Sequence, residues 1–301
     1  MAISRAQLAK ELEPGLNALF GLEYNRYERQ HEEIYTEESS DRAFEEEQML
    51  SGFGSAPVKA EGAGVQYDQA GETYTARYTH ETISLAFAIT AEAVEDNLYD
   101  RLATRYTRAL ARSMAHTQQV KAAAVLNNAF NAAFPVGDGV SLVNAAHPTL
   151  TGNRSNVLAV PADLNETSLE EMLIQIQDFR DEKGLRIALQ GRKLIVPKEL
   201  QFTAERILKS TLRVGTSDND VNAMKSMGML PEGYAVNNFL LDPQAYWVLT
   251  DAPDGFKYFN RVPVTTKSEG DFDTDNFRFK ARQRYSFGVS DWRAVIGTPG
   301  A

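Results

Sequence analysis

The chain has 301 residues, 43% of them hydrophobic and 24% charged, with 41 Asp and Glu against 31 Lys and Arg and a formal charge of −10. No cysteine is present, which excludes disulfides, thiolate metal sites and cysteine nucleophiles. An acidic chain of this kind does not grip nucleic acid over its whole surface, although it can carry a local basic stripe.

The length suffices for one large domain or two modest ones with a real core. No run approaches the roughly 20 apolar residues of a membrane helix. The start, MAISRAQLAKELEPGLNALF, lacks the apolar block and cleavage site of a signal peptide. Residues 1–48 read as helical pieces broken at Pro14-Gly15, with a partial apolar stripe of Leu8, Leu12, Leu16, Leu19 and Phe20. An acidic run follows: Glu32, Glu33, Glu37, Glu38, Glu45, Glu46 and Glu47. Such a run is either a solvated face or a docking strip for a basic surface.

Residues 52–90 are the most telling stretch. Gly occurs at 52, 54, 62, 64 and 71, and large aliphatics are few before Ile83. This arm cannot bury enough apolar surface to offset the entropy of ordering it. Tyr74 to Ile89 nevertheless has strand composition, and Ile83, Leu85, Phe87 and Ile89 alternate with small or polar residues. Asp68 to Gly71 is expected to turn and to form the far tip. A strand-prone hairpin without its own core needs a neighbour to lie on, which points to an assembly subunit.

From Thr90 to about Ala133 there is neither Gly nor Pro. Thr90 suits an N-cap, and Glu92, Glu95 and Asp96 suit the positive end of a helix. Val94, Leu98, Leu102, Tyr106, Leu110 and Met114 recur every four residues. An unbroken helix here would run about 60 Å at about 1.5 Å per residue, a spine. Arg101, Arg105, Arg108 and Arg112 share one face of it, as a solvated row, a contact for the acidic arm, or a surface near nucleic acid. The contact with the arm is the favoured reading.

Beyond Pro135 the chain is loop-rich to Pro161. Asn165 and Ser168 then precede a helix over Leu169, Met172, Leu173, Ile176 and Phe179. A buried strand at Leu194 to Val196, a helix over Leu200, Ala204, Ile207 and Leu208, a polar loop over 213–233 and a strand in NNFLLDPQAYWVLTD complete an α/β lobe. Phe256 to Thr266 and Phe277 to Val289 flank a turn-rich KSEGDFDTDN and make a long hairpin.

Catalytic patterns are missing. The histidines at 31, 80, 116 and 147 form no zinc pair, and His31 is expected at the surface. DFDTDN (271–276) and DNDVNA (218–223) begin like calcium loops but lack the Gly and the terminal Glu. GFGS is not a dinucleotide loop, and neither a phosphate-binding loop nor a nucleophile elbow occurs. No catalytic residue, cofactor or metal is expected.

Several stretches resemble one family. LIVPKELQFTAERILKS (194–210) looks like the core of Mu-like bacteriophage major head subunits. FRFKARQRYSFGVSDWRAVIG (277–297) resembles their carboxyl-terminal pattern, and His147-Pro148 with Asn156 also fits. The order of acidic arm, Gly-rich hairpin, spine and α/β lobe extends the likeness over essentially the whole chain.

The resemblance implies an α+β chain with the Hong Kong 97-type capsid fold of tailed-phage major capsid proteins. Its parts map to an N-terminal arm at 1–48, an extended loop at 49–85, and a peripheral domain at 86–162 with the spine at 91–133. An axial domain follows at 163–255, then the peripheral hairpin at 256–289 and a return to the axial domain at 290–301. It implies a homo-oligomer of pentamers and hexamers closing an icosahedral head. The head encloses double-stranded DNA contacted non-specifically at most, with portal and scaffold proteins as partners, a decoration protein left open, and no membrane. About 48 residues before the hairpin leave little room for a built-in scaffolding segment, so a separate scaffold is expected. Shells would form in the bacterial cytoplasm and reside in the virion. Candidate inter-subunit contacts are Lys59, Tyr67, Tyr74, Tyr78, Arg101, Arg105, Arg108, Arg112, Glu45, Glu46 and Glu47. Lys59, read as lying near the loop root, is not expected to form covalent links. Two rivals are an encapsulin-like nanocompartment shell, which shares the fold, and a two-domain hydrolase with a mobile lid at 52–82.

Overall fold

The computed structural model describes residues 5–90, 92, 99–212, 220–271 and 276–301. Helix α1 (Arg5–Arg26) is continuous through Pro14-Gly15, contrary to the expected break. A proline forfeits one helical hydrogen bond, and here the turns that follow are held by packing. Leu16, Phe20 and Tyr24, four residues apart, are buried against the spine and the long hairpin.

The acidic run is not helical. After a short 3-10 turn, it enters strands β1 (Thr36–Ser39) and β2 (Phe44–Leu50). Strands β3 (Glu72–Thr79) and β4 (Glu81–Ile89) lead to the spine helix α2 (Tyr99–Asn127). The expected helix start from 91 to 98 lies, apart from Glu92, outside the described residues, as does the side chain of Arg101. The spine ends at Asn127 and not at Ala133. Asn128 Nδ2 donates to the Ala124 carbonyl at 2.8 Å, and Asn127 is tied to Phe239 and Leu241. Side chains that bond to backbone groups at this point compete with helix continuation.

Strands β5 (His147–Thr149) and β6 (Gly152–Arg154) form a small ribbon. Helix α3 (Glu166–Gln177) starts at the expected cap: Asn165 accepts from Ser168 N, and Ser168 Oγ accepts from Asn165 N. Strand β7 (Gly191–Val196) and helix α4 (Gln201–Lys209) follow. The expected polar loop over 213–233 contains helix α5 (Ala223–Met227), capped by Asn222 and closed by Gly228 at φ +61°; 213–219 lie outside the described residues. Strands β8 (Tyr234–Val236), β9 (Tyr246–Thr250), β10 (Phe256–Gly270), β11 (Phe277–Val289) and β12 (Val295–Thr298) end the chain.

Two four-stranded sheets result, in the orders β1-β10-β11-β4 and β12-β9-β7-β8. One core joins them: Leu126 and Ala122 of the spine meet Tyr285 and Val289 of the first sheet and Trp247 and Val295 of the second. A second cluster packs Leu169, Met172 and Ile176 of α3 beneath Leu194, Val196 and Val248. Among the described residues, strands β2 and β3 pair only with each other, as an antiparallel ribbon that carries the loop 51–71.

Candidate assembly interface

The ribbon crosses the face of the first sheet opposite the spine. Its inward residues Ala76 and Tyr78 bury against Phe259, and Tyr78 and Phe259 meet edge to face at 4.8 Å between centroids. Tyr78 donates to Ser290, which donates in turn to Glu47. Glu47 also receives Lys257, whose ammonium lies 3.0 Å from Asp254 and 3.4 Å from Glu38. This concentration of carboxylates holds the Lys257 ammonium well above its ordinary pKa, against the opposing effect of burial. Tyr78, expected as an inter-subunit contact, is thus buried inside its own chain. At the corner between β3 and β4, His80 bridges the hydroxyls of Ser40 and Ser286, each at 2.9 Å.

His31 is also buried, 2% exposed, between the edges of Tyr258 and Phe287. This corrects the surface position expected from the sequence. Burial pushes its pKa down.

The loop itself closes at Ser51 and Gly71, where Ser51 N donates to Gly71 O at 2.8 Å and Gly71 N to Ser51 Oγ at 2.9 Å. Its turn lies at Ala60 to Ala63, with Gly62 at φ +77°. The expected tip at Asp68 to Gly71 is therefore at the root, and Lys59 stands beside the tip. The strand partner of β3 lies further back than expected, at Phe44 to Leu50, although the composition there is not that of a strand. Along the loop Phe53, Val58, Val65 and Tyr67 are exposed, Val58 at 99% and Tyr67 at 96%. These apolar side chains stand exposed on a segment without a core of its own, where a partner surface could bury them.

Behind the ribbon lies a buried polar hub. His147 is fully buried and stacks on Trp292, with ring centroids 4.3 Å apart and planes 5° apart. Its Nδ1 lies 2.5 Å from Asp138 Oδ2. Asn156 Nδ2 donates to the carbonyls of Leu142, Trp292 and Val295, so its Oδ1 is the acceptor for His147 Nε2 at 3.0 Å. Next to it Arg293, 2% exposed, donates to Glu182 at 2.7 Å, Asp291 at 3.1 Å and the Arg180 carbonyl at 2.7 Å. Tyr74 of β3 packs beside this hub with its hydroxyl buried and unbonded, and burial raises its pKa strongly.

Two members of the arginine row, Arg108 and Arg112, reach towards α1 and the residue that follows it. Arg108 lies 3.9 Å from Glu23, and Arg112 donates to the Tyr27 hydroxyl at 2.9 Å. Arg105 is exposed on the same helix. Glu45 and Glu46 have partners within the arm and ribbon, Ser40 with Arg42 and Arg77 respectively. Lys183, Lys257, Asp138 and Glu182 were not singled out in the sequence. Only the turn-like Asp181-Glu-Lys-Gly184 offered a signal for the first and last of these. Of the two calcium-like stretches, 272–275 and 218–219 lie outside the described residues. Among the described residues no cluster of three or more potential ligands could hold a metal, and no helix is long and apolar enough to cross a membrane.

The architecture of arm, extended ribbon, spine and two sheets is that of a shell subunit. The chain belongs to the phage capsid protein family, whose model matches residues 73–297. It is a major capsid protein with the Hong Kong 97-type fold, a structural subunit of an icosahedral shell. Among solved structures it is similar to the capsid of cyanophage P-SCSP1u, with a TM-score of 0.55, 11% identity, and coverage of 89% of this chain and 86% of that one. Microbacterium phage Oxtober96 gives 0.52 and 11% over 90% of each chain. A virus-like particle from Pyrococcus furiosus gives 0.50 and 10%, over 94% of this chain and 97% of that one. At these identities the likeness is one of fold. No curated protein matches the sequence.

Proposed function

We propose that this subunit closes rings of five and six into a phage head around double-stranded DNA, by reaching onto the next copy with the loop 51–71. The observation that carries this reading is the set of exposed apolar side chains on the two arms of the loop, Phe53, Val58, Val65 and Tyr67. Repeated heterologous contacts of this kind close rings and then shells. The role is structural and not enzymatic. A lid over an active site would need a nucleophile and base beneath it. The buried histidines nearest the ribbon, His80 and His147, are instead tied to Ser40, Ser286, Asp138 and Asn156.

In this reading the domains are the arm at 1–48, extended loop at 49–85, peripheral parts at 86–162 and 256–289, and axial parts at 163–255 and 290–301. Lys59, Tyr67, Glu46, Arg105, Arg108 and Arg112 are the candidate contacts that face outward, and Arg101 belongs to the same proposal. Portal and scaffold proteins are the expected partners, and assembly takes place in the host cytoplasm. The nanocompartment alternative shares the fold; the match to a phage capsid family favours the head protein.

The test is removal of residues 55–66, which spares β3 and its buried Tyr78. We expect a soluble chain with unchanged circular dichroism that forms no shells under conditions where the full chain does, as seen by electron microscopy. Shells from the shortened chain would refute the proposed role of the loop.

A further inference from the structure

A two-stranded ribbon is marginally stable alone and twists readily unless something holds it. The root of the extended loop is held from outside at one polar point. Lys183 Nζ donates to both carboxylate oxygens of Asp68, each at 2.9 Å, and to the Gln69 carbonyl at 2.6 Å. Asp68 Oδ2 also accepts Gly54 N at 2.7 Å, so one carboxylate ties the two arms of the loop together and to the body.

The turn that presents Lys183 is itself fixed. Asp181 Oδ1 accepts from Lys183 N at 2.9 Å and Leu185 N at 2.8 Å. Gly184 sits at φ +87°, and its carbonyl accepts from Arg180 at 2.9 Å. The adjacent Glu182 is locked by buried Arg293. The side chain of Lys183 is only 20% exposed, whereas Asp68 is 49% exposed. The anchor is therefore built into the body and the loop hangs from it. The Asp68 carboxyl is held down at about 2, first by the Gly54 N–H and then by Lys183.

We propose that Lys183 is the positioning residue of the extended loop: it fixes the angle at which the loop leaves its own chain, and so the place on the next copy that the tip reaches. This rests on the reading that the loop contacts a neighbouring copy. Exposed ion pairs add little to stability, but position is a different quantity. From the Gly54–Asp68 clamp to the turn at Ala60, the loop extends at most about 20 Å. A swing of about 20° at the clamp moves the tip by about 7 Å, beyond the roughly 4 Å reach of an apolar contact. A lysine is suited to this post because three donors on one flexible stem reach two carboxylate oxygens and a carbonyl together.

The absence of cysteine permits clean double labelling. Spin labels at Ala60→Cys in the loop and Glu199→Cys in the body report the loop angle as a distance distribution in the unassembled chain. We expect a narrow distribution with Lys183 in place and at least a twofold broadening in Lys183→Met, with shell yield reduced at least tenfold. The thermal midpoint should stay within about 2 °C, and Lys183→Arg should restore both readouts. Asp68→Asn gives the same test from the loop side if Lys183→Met does not fold. An unchanged distribution in Lys183→Met overturns the proposal, and so does a broadened distribution with normal shell yield. Shells from the chain lacking 55–66 would remove the neighbour contact and leave the distribution result standing, so the two failures are separable.

Discussion

Replacing Arg293 with Met tests whether the buried hub carries the body of the fold. The guanidinium is 2% exposed and satisfies Glu182 (3% exposed), Asp291 and the Arg180 carbonyl. Methionine fills much of the volume but leaves Glu182 and Asp291 buried without a cation, a change that costs about 3–5 kcal/mol. At about 2.1 cal/mol/K per residue, 301 residues have an unfolding entropy of about 0.63 kcal/mol/K. The midpoint should therefore fall by about 5–8 °C, measured on unassembled chain at fixed concentration so that association does not contribute. Changing Glu182 to Met as well removes one of the two stranded carboxylates, so the double variant should recover part of the loss, Asp291 remaining without its cation.

The pH dependence supplies a second check. Burial raises the pKa of Asp291, and Arg293 opposes that rise. An acid whose folded pKa lies above its unfolded value binds protons more tightly when folded, so its cost is relieved as pH falls. Without Arg293 the rise is larger, and the deficit of Arg293→Met should shrink between pH 8 and pH 5. A midpoint drop under about 2 °C, or a double variant no better than the single one, would refute the reasoning.

Gly288→Ala should loosen the ribbon root, because a Cβ there would lie 2.6 Å from the Tyr78 ring; the expected cost is about 1–3 kcal/mol, with faster amide exchange in β3. His31 and His80 both have pKa values lowered, chiefly by burial. Stability should be full above the ordinary histidine pKa of about 6.5 and fall as pH drops below it, and His31→Gln should flatten that slope in denaturant titrations. Purified heads should run as one band near 33.4 kDa on denaturing gels, because an isopeptide link needs a lysine desolvated beside a carboxylate and Lys59 stands exposed on the loop; ladders abolished by Lys59→Ala would show otherwise.

The elements that were legible in the sequence are those whose partners lie nearby or whose pattern is complete. The β7–α4 unit was readable from LIVPKELQFTAERILKS, α3 from its Asn165–Ser168 cap, and β10–β11 from two long strand-forming runs. Strand β2 was not. FEEEQML carries three consecutive glutamates, and Glu47 is tolerated there only because Lys257 and Ser290, over two hundred residues away, meet it. His31 misled for a similar reason: its acidic neighbours face outward, while the aromatic rings that enclose it come from β10 and β11. The loop tip was misplaced because its Asp68 reads as a turn former, whereas its carboxylate is used to bind Lys183 and Gly54. Long-range charge pairing has no local periodicity to read.

The short motifs that carried the family resemblance were individually weak, and the hub explains why they form a set. His147, Asn156 and Asp291-Trp292-Arg293 come from distant parts of the chain but meet in one buried site. Each is a liability by itself: a buried guanidinium, carboxylate or imidazole without partners costs several kcal/mol. Together they satisfy one another and tie three elements to a single point. These are the loop after the spine, the strand β12 that closes the second sheet, and the turn whose Lys183 holds the extended loop. The hub thus fixes the sheets relative to the spine and aims the loop from the same place. That coupling predicts that hub variants which still fold, such as the Glu182→Met, Arg293→Met pair, should broaden the loop distance distribution, because the turn carrying Lys183 loses its buried anchor. Unchanged loop geometry in that pair would show that Asp181 and Gly184 hold the turn without help from the hub.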